Sequence, residues 1–155
     1  MSVLKVDHLC VDYHSRTGHI RLVDDISFDI QPNKTLAIVG ESGCGKSMTA
    51  LAMMRLLPDG ATITKGVITL EGDSLTDLPE AQMRDIRGAS MSMIFQEPMT
   101  SLNPVFSVGE QIAEVLRLHT DLDKQQIREK VQALIRSVGI SDAGQRSSAY
   151  PHELS

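Results

Sequence analysis

The chain has 155 residues and a net charge of −5, with 41% hydrophobic and 23% charged residues. This length is enough for a domain with a real core, and the composition is ordinary for a globular protein. The acidic balance excludes a basic field that would draw the whole chain to nucleic acid, so we expect no nucleic-acid partner and only a local arrangement for any phosphate binding.

The first elements that the pattern predicts are two antiparallel strands. Apolar and polar residues alternate over residues 9–13 and again over 26–30, as in half-buried strands. Residues 14–19 are expected to form the turn between them, and residues 31–34 a second turn. Two cysteines, Cys10 and Cys44, are too few for a disulfide framework and fit a reducing cytosol.

The next segment changes from alternation to a continuous apolar run. Residues 35–39 are typical of a strand buried on both faces, as in a parallel sheet. A glycine-rich stretch follows at once, and residues 46–57 then favour a helix that ends before Pro58. The local order predicted here is therefore strand, glycine loop, helix.

The remaining elements are predicted mainly by their hydrophobic spacing. The pattern favours strands over 66–72 and 91–95 and helices over 78–87, 108–119 and 124–138, whereas the last dozen residues are expected to begin as a loop. The clearest helix is 124–138, because its apolar residues form one stripe and Gly139 follows as a stop signal. The most apolar stretch, 48–57, is too short to span a membrane, so membrane work would require a partner.

Residues 40–47 fit the P-loop pattern G-x-x-x-x-G-K-[ST]. A polyphosphate needs several backbone N–H donors from one side, and glycines permit the tight wrapping that this requires. The helix that follows would point its positive end at the phosphates, Lys46 would add a charge, and the Ser47 hydroxyl would ligate Mg²⁺. The residues expected to hold the nucleotide here are Gly40, Ser42, Gly43, Cys44, Gly45, Lys46, Ser47 and Met48.

Three further features mark a resemblance to a known family. Tyr13 ends a strand upstream of the P-loop, residues 93–98 read Met-Ile-Phe-Gln-Glu-Pro, and residues 150–155 read Tyr-Pro-His-Glu-Leu-Ser. Together they resemble the ATP-binding subunits of ABC transporters over essentially the whole chain. The string that continues from 99 to 111 is similar to the subfamily that imports dipeptides, oligopeptides, glutathione or nickel.

The resemblance implies roles for residues outside the P-loop. Tyr13 would stack on adenine, although as a lone residue it also fits a sheet position with a polar tip. Gln96 would ligate Mg²⁺ or the attacking water and act with Lys46 in catalysis, whereas Glu97 is expected to be a surface residue. Implied partners are ATP with Mg²⁺, transmembrane permease subunits that dock on the segment after Gln96, and a second identical or paralogous ATP-binding subunit. The implied location is peripheral, on the cytoplasmic face of the bacterial plasma membrane.

The implied fold class is α/β, the ABC-type P-loop nucleotide-binding domain in its N-terminal part. Residues 1–95 would hold the antiparallel β subdomain and P-loop core, and 96–155 the Q-loop and part of the helical subdomain. The last two residues would open the family's Leu-Ser-Gly-Gly signature, so the family's Walker B strand, catalytic glutamate and switch histidine have no counterpart. Alone, such a chain is expected to bind nucleotide weakly, not to hydrolyse it, and to be poorly soluble.

Two functions other than that of a transporter subunit fit part of this sequence. A non-catalytic remnant that at most binds nucleotide fits the ending, and a reading frame that continues into Gly-Gly would argue against it. A small-molecule kinase could use the same P-loop, but it leaves Tyr13, Gln96 and the ending at 150–155 unexplained.

Overall fold

The structure is a computed structural model that describes residues 2–15, 18–95 and 101–154. The chain divides into two compact units, which we describe separately. The first consists of residues up to 87 together with 91–93, and the second of residues 88–90 and those from 94 onward. The division expected from sequence, between residues 95 and 96, stays a prediction about family subdomains.

The first unit is built on a four-stranded antiparallel sheet. Its strands are β1 (Leu4–Ser15), β2 (Gly18–Ile30), β3 (Ala61–Leu70) and β4 (Asp73–Ser74), in the spatial order β2-β1-β3-β4. β1 and β2 form a hairpin in which Ser15 lies opposite Gly18. The two predicted strands are therefore present, but both are longer than the alternating pattern indicated. They include His14, Ser15, Gly18 and His19 of the predicted turn, so the turn prediction over residues 14–19 is wrong at those positions, and residues 16–17 lie outside the described residues.

The extra length follows from a β-bulge that breaks the alternation. His8 has a φ of 50° and is an additional residue in β1 relative to both neighbouring strands. Beside it in β3, Gly66 has a φ of 91°, and a Cβ there would lie 2.6 Å from the Asp7 carbonyl oxygen. A bulge shifts the phase of inward and outward residues, so residues 4–7 and residues 9–13 alternate separately and do not form one continuous pattern.

One face of this sheet forms the larger hydrophobic core. Two helices, α1 (Lys46–Met53) and α2 (Glu80–Ala89), contribute Ala52 and Met83 to it. Such burial supplies the main driving force for folding. The buried core residues of the first unit are Leu4, Val6, Leu9, Val11, Val23, Ala52, Ala61, Ile68, Leu70, Leu75 and Met83.

The predicted buried strand at residues 35–39 is wrong for this structure. The turn before it is present, with the Lys34 amide donating to the Gln31 carbonyl at 3.1 Å, but residues 35–39 have no strand assignment and are exposed. Val39 is 88% exposed. A strand of a parallel sheet takes its hydrogen bonds from strands distant in sequence, and no described residue pairs with this segment as a strand.

The predicted strand at residues 91–95 is also wrong. Only Met91 makes a ladder contact, an isolated parallel bridge with Arg87, and residues 92–95 have no regular structure. Ile94 is 93% exposed. The reason is again a missing neighbour among the described residues, because an apolar run alone cannot supply the ladder that defines a strand.

The second unit contains the predicted helix pair. α3 (Val108–His119) begins after Ser107, whose hydroxyl accepts from the Glu110 amide. α4 (Lys124–Ser137) begins with a capping box formed by Asp123 and Gln126. These side chains satisfy backbone donors that a helix leaves free at its start. The buried residues shared by this unit's core are Ala113, Ile127, Val131, Ile135 and Ala143.

The end of the chain is more ordered than the expected loop. A short helix, α5 (Ala143–Arg146), follows α4, and a 3₁₀ turn covers Pro151–Glu153. Tyr150 caps that turn, and its amide donates to the Glu153 carboxylate at 2.8 Å. Four-residue helices lack the repeated apolar spacing that sequence patterns detect. Among the residues described, none of the helices has both the length and the apolar character needed to cross a bilayer.

Candidate functional site

The loop over residues 40–47 turns the chain into the start of α1. Gly45 occupies the N-cap position in a left-handed conformation with φ 93°, and no side chain caps the helix. The Thr49 amide and hydroxyl both bond back to the Gly45 carbonyl, at 2.8 and 3.0 Å. The first amides of α1 thus have no capping side chain, and a helix start of this kind presents its N–H groups and positive end to an anion.

Two of the loop glycines lie where an added side chain would meet close neighbours. A Cβ at Gly45 would lie 2.6 Å from the Leu22 carbonyl oxygen of β2, and a Cβ at Gly40 would lie 2.6 Å from the Cys44 sulfur. Gly43 has a φ of 84° but open space around it. The loop is therefore compact and fixed against β2 at Gly45, and it leaves room on the side of Gly43.

The Lys46 side chain folds back across the loop. Its ammonium donates to the carbonyls of Gly40 at 2.7 Å and Glu41 at 2.6 Å, and lies 3.4 Å from the Cys44 sulfur. A positive charge is thus held beside the backbone of the loop by neutral acceptors. Such an arrangement suits a polyanion, because an ammonium and converging amides attract phosphate oxygens together.

The other predicted loop residues differ in exposure. Ser42 and Ser47 are exposed, and Ser47 lies in the first turn of α1 with an accessible hydroxyl. Met48 is half-buried and its side chain packs against the core of the first unit. Its contact with a nucleotide stays a prediction. Within the described parts of the chain, no group of three His, Cys, Asp or Glu side chains could hold a metal. Magnesium ligation by Ser47 stays a prediction.

Tyr13 lies on the side of the sheet that the loop approaches. It sits opposite Ile20 in β2 and Ala61 in β3, and β1 runs without a bulge against β3 from Val11 to Tyr13, so these two residues share a face. Val11 is buried in the core, whereas Tyr13 is 36% exposed. The ring is thus supported by the sheet and open on one side, as a stacking platform must be.

Gln96, the other residue that the resemblance implied for catalysis, lies outside the described residues together with Glu97. Its role therefore stays a prediction. Phe95, the last described residue before it, is exposed and not part of a strand.

Sequence analysis missed an ionic cluster around the buried Asp12, which precedes Tyr13 in β1. Asp12 is only 5% exposed. Its carboxylate accepts from Arg21 Nε at 2.9 Å, from Arg21 Nη2 at 3.3 Å and from the Thr64 hydroxyl at 2.8 Å. Hydrogen bonds from Arg21 and then Thr64 lower the pKa of Asp12 to about 2. The alternating pattern of the strand placed Asp12 among the outward residues. The signal that could have indicated its ion pair was Arg21, which follows the predicted turn and can lie opposite Asp12 in a hairpin.

The family described as ABC transporter matches residues 23–155. The chain belongs to the ABC transporter family. The matched range includes the P-loop, the first unit from residue 23 onward and the whole second unit.

Curated ABC transporter proteins resemble the chain over almost its whole length. It is 45% identical to the dipeptide transport ATP-binding protein DppD of Bacillus subtilis over 154 residues, which cover 99% of this chain and 46% of that protein. It is 46% identical over 160 residues to the glutathione import ATP-binding protein GsiA of Escherichia coli K12, covering 99% of this chain and 26% of GsiA. A putative peptide import ATP-binding protein of Brucella abortus is 41% identical, with 46% of its length covered. The chain thus spans half the length of these relatives or less.

Solved structures of ABC cassettes share the fold. Two dimeric structures of the cassette MJ0796 superpose with TM-scores of 0.81 and 0.84 at 18% sequence identity, covering 98% of this chain and 63% of theirs. At that identity the likeness establishes the fold alone. The expected ABC-type fold class is confirmed, and so is the resemblance to ATP-binding proteins of peptide and glutathione import.

Proposed function

We propose that the chain is the nucleotide-binding part of an ATP-binding subunit that powers import of peptides or related small solutes. The observation that carries the proposal is the loop at residues 40–47, where a left-handed Gly45 opens α1 and Lys46 lies across the loop backbone. The names of the relatives, which mention dipeptide, glutathione and peptide import, support the class of cargo.

The described residues fit magnesium-bound ATP in named roles. Amides from Gly43 to Ser47 bind the phosphates, and Lys46 exchanges its two carbonyl acceptors for phosphate oxygens. The Ser47 hydroxyl serves as a magnesium ligand, and Tyr13 stacks on the adenine. Magnesium, when bound, neutralises phosphate charge during phosphoryl transfer.

The assembly in which this subunit works is proposed from the same relatives. A second ATP-binding subunit and transmembrane permease subunits complete the importer, with the chain peripheral on the cytoplasmic face of the bacterial membrane. The relatives' names describe transport, and the MJ0796 structures are titled as dimers. Gln96 and the segment that follows it are proposed to contact the permease, and ATP hydrolysis belongs to the whole subunit.

Titration calorimetry with magnesium-ATP on the full-length protein tests the proposal. Lys46→Ala removes the ammonium from the loop and is expected to weaken ATP binding about 100-fold, because charged hydrogen bonds to phosphate are lost. Lys34→Ala removes an exposed lysine from the nearby turn and should change affinity by less than about twofold. Equal affinity of the wild type and Lys46→Ala would contradict the proposed site.

A further inference from the structure

The Asp12 cluster is connected through the backbone to both parts of the proposed nucleotide site. Tyr13 follows Asp12 directly in β1. Across the hairpin, Arg21 pairs with Asp12, and the next residue, Leu22, carries the carbonyl that Gly45 of the loop approaches. The Asp12 carboxylate lies on the opposite face of β1 from the Tyr13 ring, so the cluster is connected to the ring through the backbone of β1 and to the start of α1 through Leu22.

The backbone ladder is interrupted at this level of the sheet. Val11 pairs with Val23 but Asp12 pairs with Arg21, so Leu22 is an extra residue in β2. In β3, Cys10 pairs with Lys65 but Val11 pairs with Ile63, so one residue, Thr64, is extra there too. Bulges on both sides of β1 remove regular ladder bonds and bend the strands.

Side chains replace the missing ladder bonds. The Asp12 carboxylate joins β1 to β2 through the Arg21 guanidinium and to β3 through the Thr64 hydroxyl, which belongs to the extra residue itself. Arg21 also donates to Asp24 at 2.9 Å, on the other side of the β2 bulge. Charge-assisted and bidentate bonds of this kind fix geometry more strongly than neutral ones.

We infer that Asp12 is a positioning residue that sets the distance and angle between the Tyr13 ring and the phosphate loop. It touches no nucleotide and acts through Tyr13 and the Leu22 bulge. A ligand that spans both parts, such as ATP, depends on that spacing, whereas a phosphate-only ligand needs the loop alone. The inference rests on the proposed nucleotide site and adds to it a determinant of adenosine binding.

The test compares two probes, magnesium-ATP and magnesium-tripolyphosphate, on the full-length protein by calorimetry. Asp12→Asn keeps the side-chain shape but removes the negative charge that the Arg21 guanidinium binds through two nitrogens. Because stacking of the adenine on an aromatic ring contributes to ATP affinity, a misplaced ring should weaken ATP binding about tenfold. Tripolyphosphate affinity should stay within about twofold of wild type. Thr64→Val removes one bond only and should show the same selectivity with a smaller loss.

Two controls separate positioning from general damage. Asp7→Asn removes the exposed partner of Lys5 from the same strand and should alter neither affinity. In a Tyr13→Ala background, Asp12→Asn should weaken ATP binding by less than about a further twofold, because coupled residues are not additive. Equal weakening of both probes, unchanged ATP affinity, or full additivity with Tyr13→Ala would overturn the inference.

Failure of the underlying site gives a different result. If wild-type protein binds neither probe, that result contradicts both the proposed function and the positioning role of Asp12. If it binds both probes and Tyr13→Ala leaves ATP affinity unchanged, the phosphate loop stands but the stacking role and the inference are overturned.

Discussion

Two apolar segments of the first unit differ in burial: one is in the core and the other is exposed. In β1, Leu9 and Val11 are fully buried, whereas in the segment 35–39 the apolar Val39 is 88% exposed. β1 finds its partner β2 immediately after a hairpin turn and gains β3 on its other side. Segment 35–39 is more uniformly apolar than β1 but pairs with no described strand.

The difference shows what an apolar run can and cannot predict. It indicates that a segment gains free energy from burial, but it does not identify what buries it. For residues 35–39, none of the described strands lies alongside to bury them. An antiparallel hairpin carries its own partner, and a parallel strand does not.

The largest expected effect comes from truncating one side chain in each segment, which tests whether the two segments differ in burial. Leu9→Ala leaves a cavity in the core and should lower the free energy of unfolding by about 2–5 kcal/mol. Val39→Ala, at an exposed position, should change it by less than about 0.5 kcal/mol. Urea unfolding of each variant measures both values. Similar losses would mean that residue 39 is buried in the folded protein and that the comparison is wrong.

A second pair of variants sharpens the comparison within the loop itself. Gly45→Ala adds a Cβ at a left-handed position and places it 2.6 Å from the Leu22 carbonyl, while Gly43→Ala adds one at φ 84° in open space. Left-handed strain alone costs about 1–2 kcal/mol, and the overlap at residue 45 adds about 1–3 kcal/mol. Thermal unfolding should therefore give a clearly lower melting temperature for Gly45→Ala than for Gly43→Ala. Equal melting temperatures would show that the loop does not rest on β2.

The smallest expected effect concerns the pH dependence of the sheet. The pKa of Asp12 is about 2, below its ordinary value of 3.8, because the carboxylate accepts hydrogen bonds from Arg21 and Thr64. A carboxyl whose pKa is lowered by folding stabilises the protein fully above the ordinary value and loses that contribution as pH falls toward 2. Between pH 4 and pH 2, wild type should lose more stability than Asp12→Asn, measured by urea unfolding. Parallel losses would contradict the hydrogen-bonded carboxylate.

Much of the fold was predictable because its signals are local. The helix at Val108–His119 was predicted with both of its ends, and Ser107 and Asp123 provide the caps that begin α3 and α4. The P-loop was predictable because its glycines and Lys46 occupy fixed spacings that phosphate chemistry requires. Fold class and family were confirmed by the comparisons.

The parts that sequence missed depend on contacts between distant residues. The strands predicted over 35–39 and 91–95 are not present in the structure. An apolar pattern does not reveal whether a neighbouring strand is available to pair with the segment. The burial of Asp12 depends on Thr64, a residue 52 positions away that is brought opposite by a bulge in β3. Gln96 lies outside the described residues, and its catalytic role stays a prediction.

The central claim is that backbone amides of the loop hold the phosphates of magnesium-ATP. Backbone amide NMR of the full-length, isotope-labelled protein during titration with magnesium-ATP tests it directly. The account predicts that the amides from Gly43 to Ser47 shift strongly and become protected from hydrogen exchange, while those of α4 do not. Saturating ATP that leaves the loop amides unshifted, or that shifts only residues elsewhere, would contradict it.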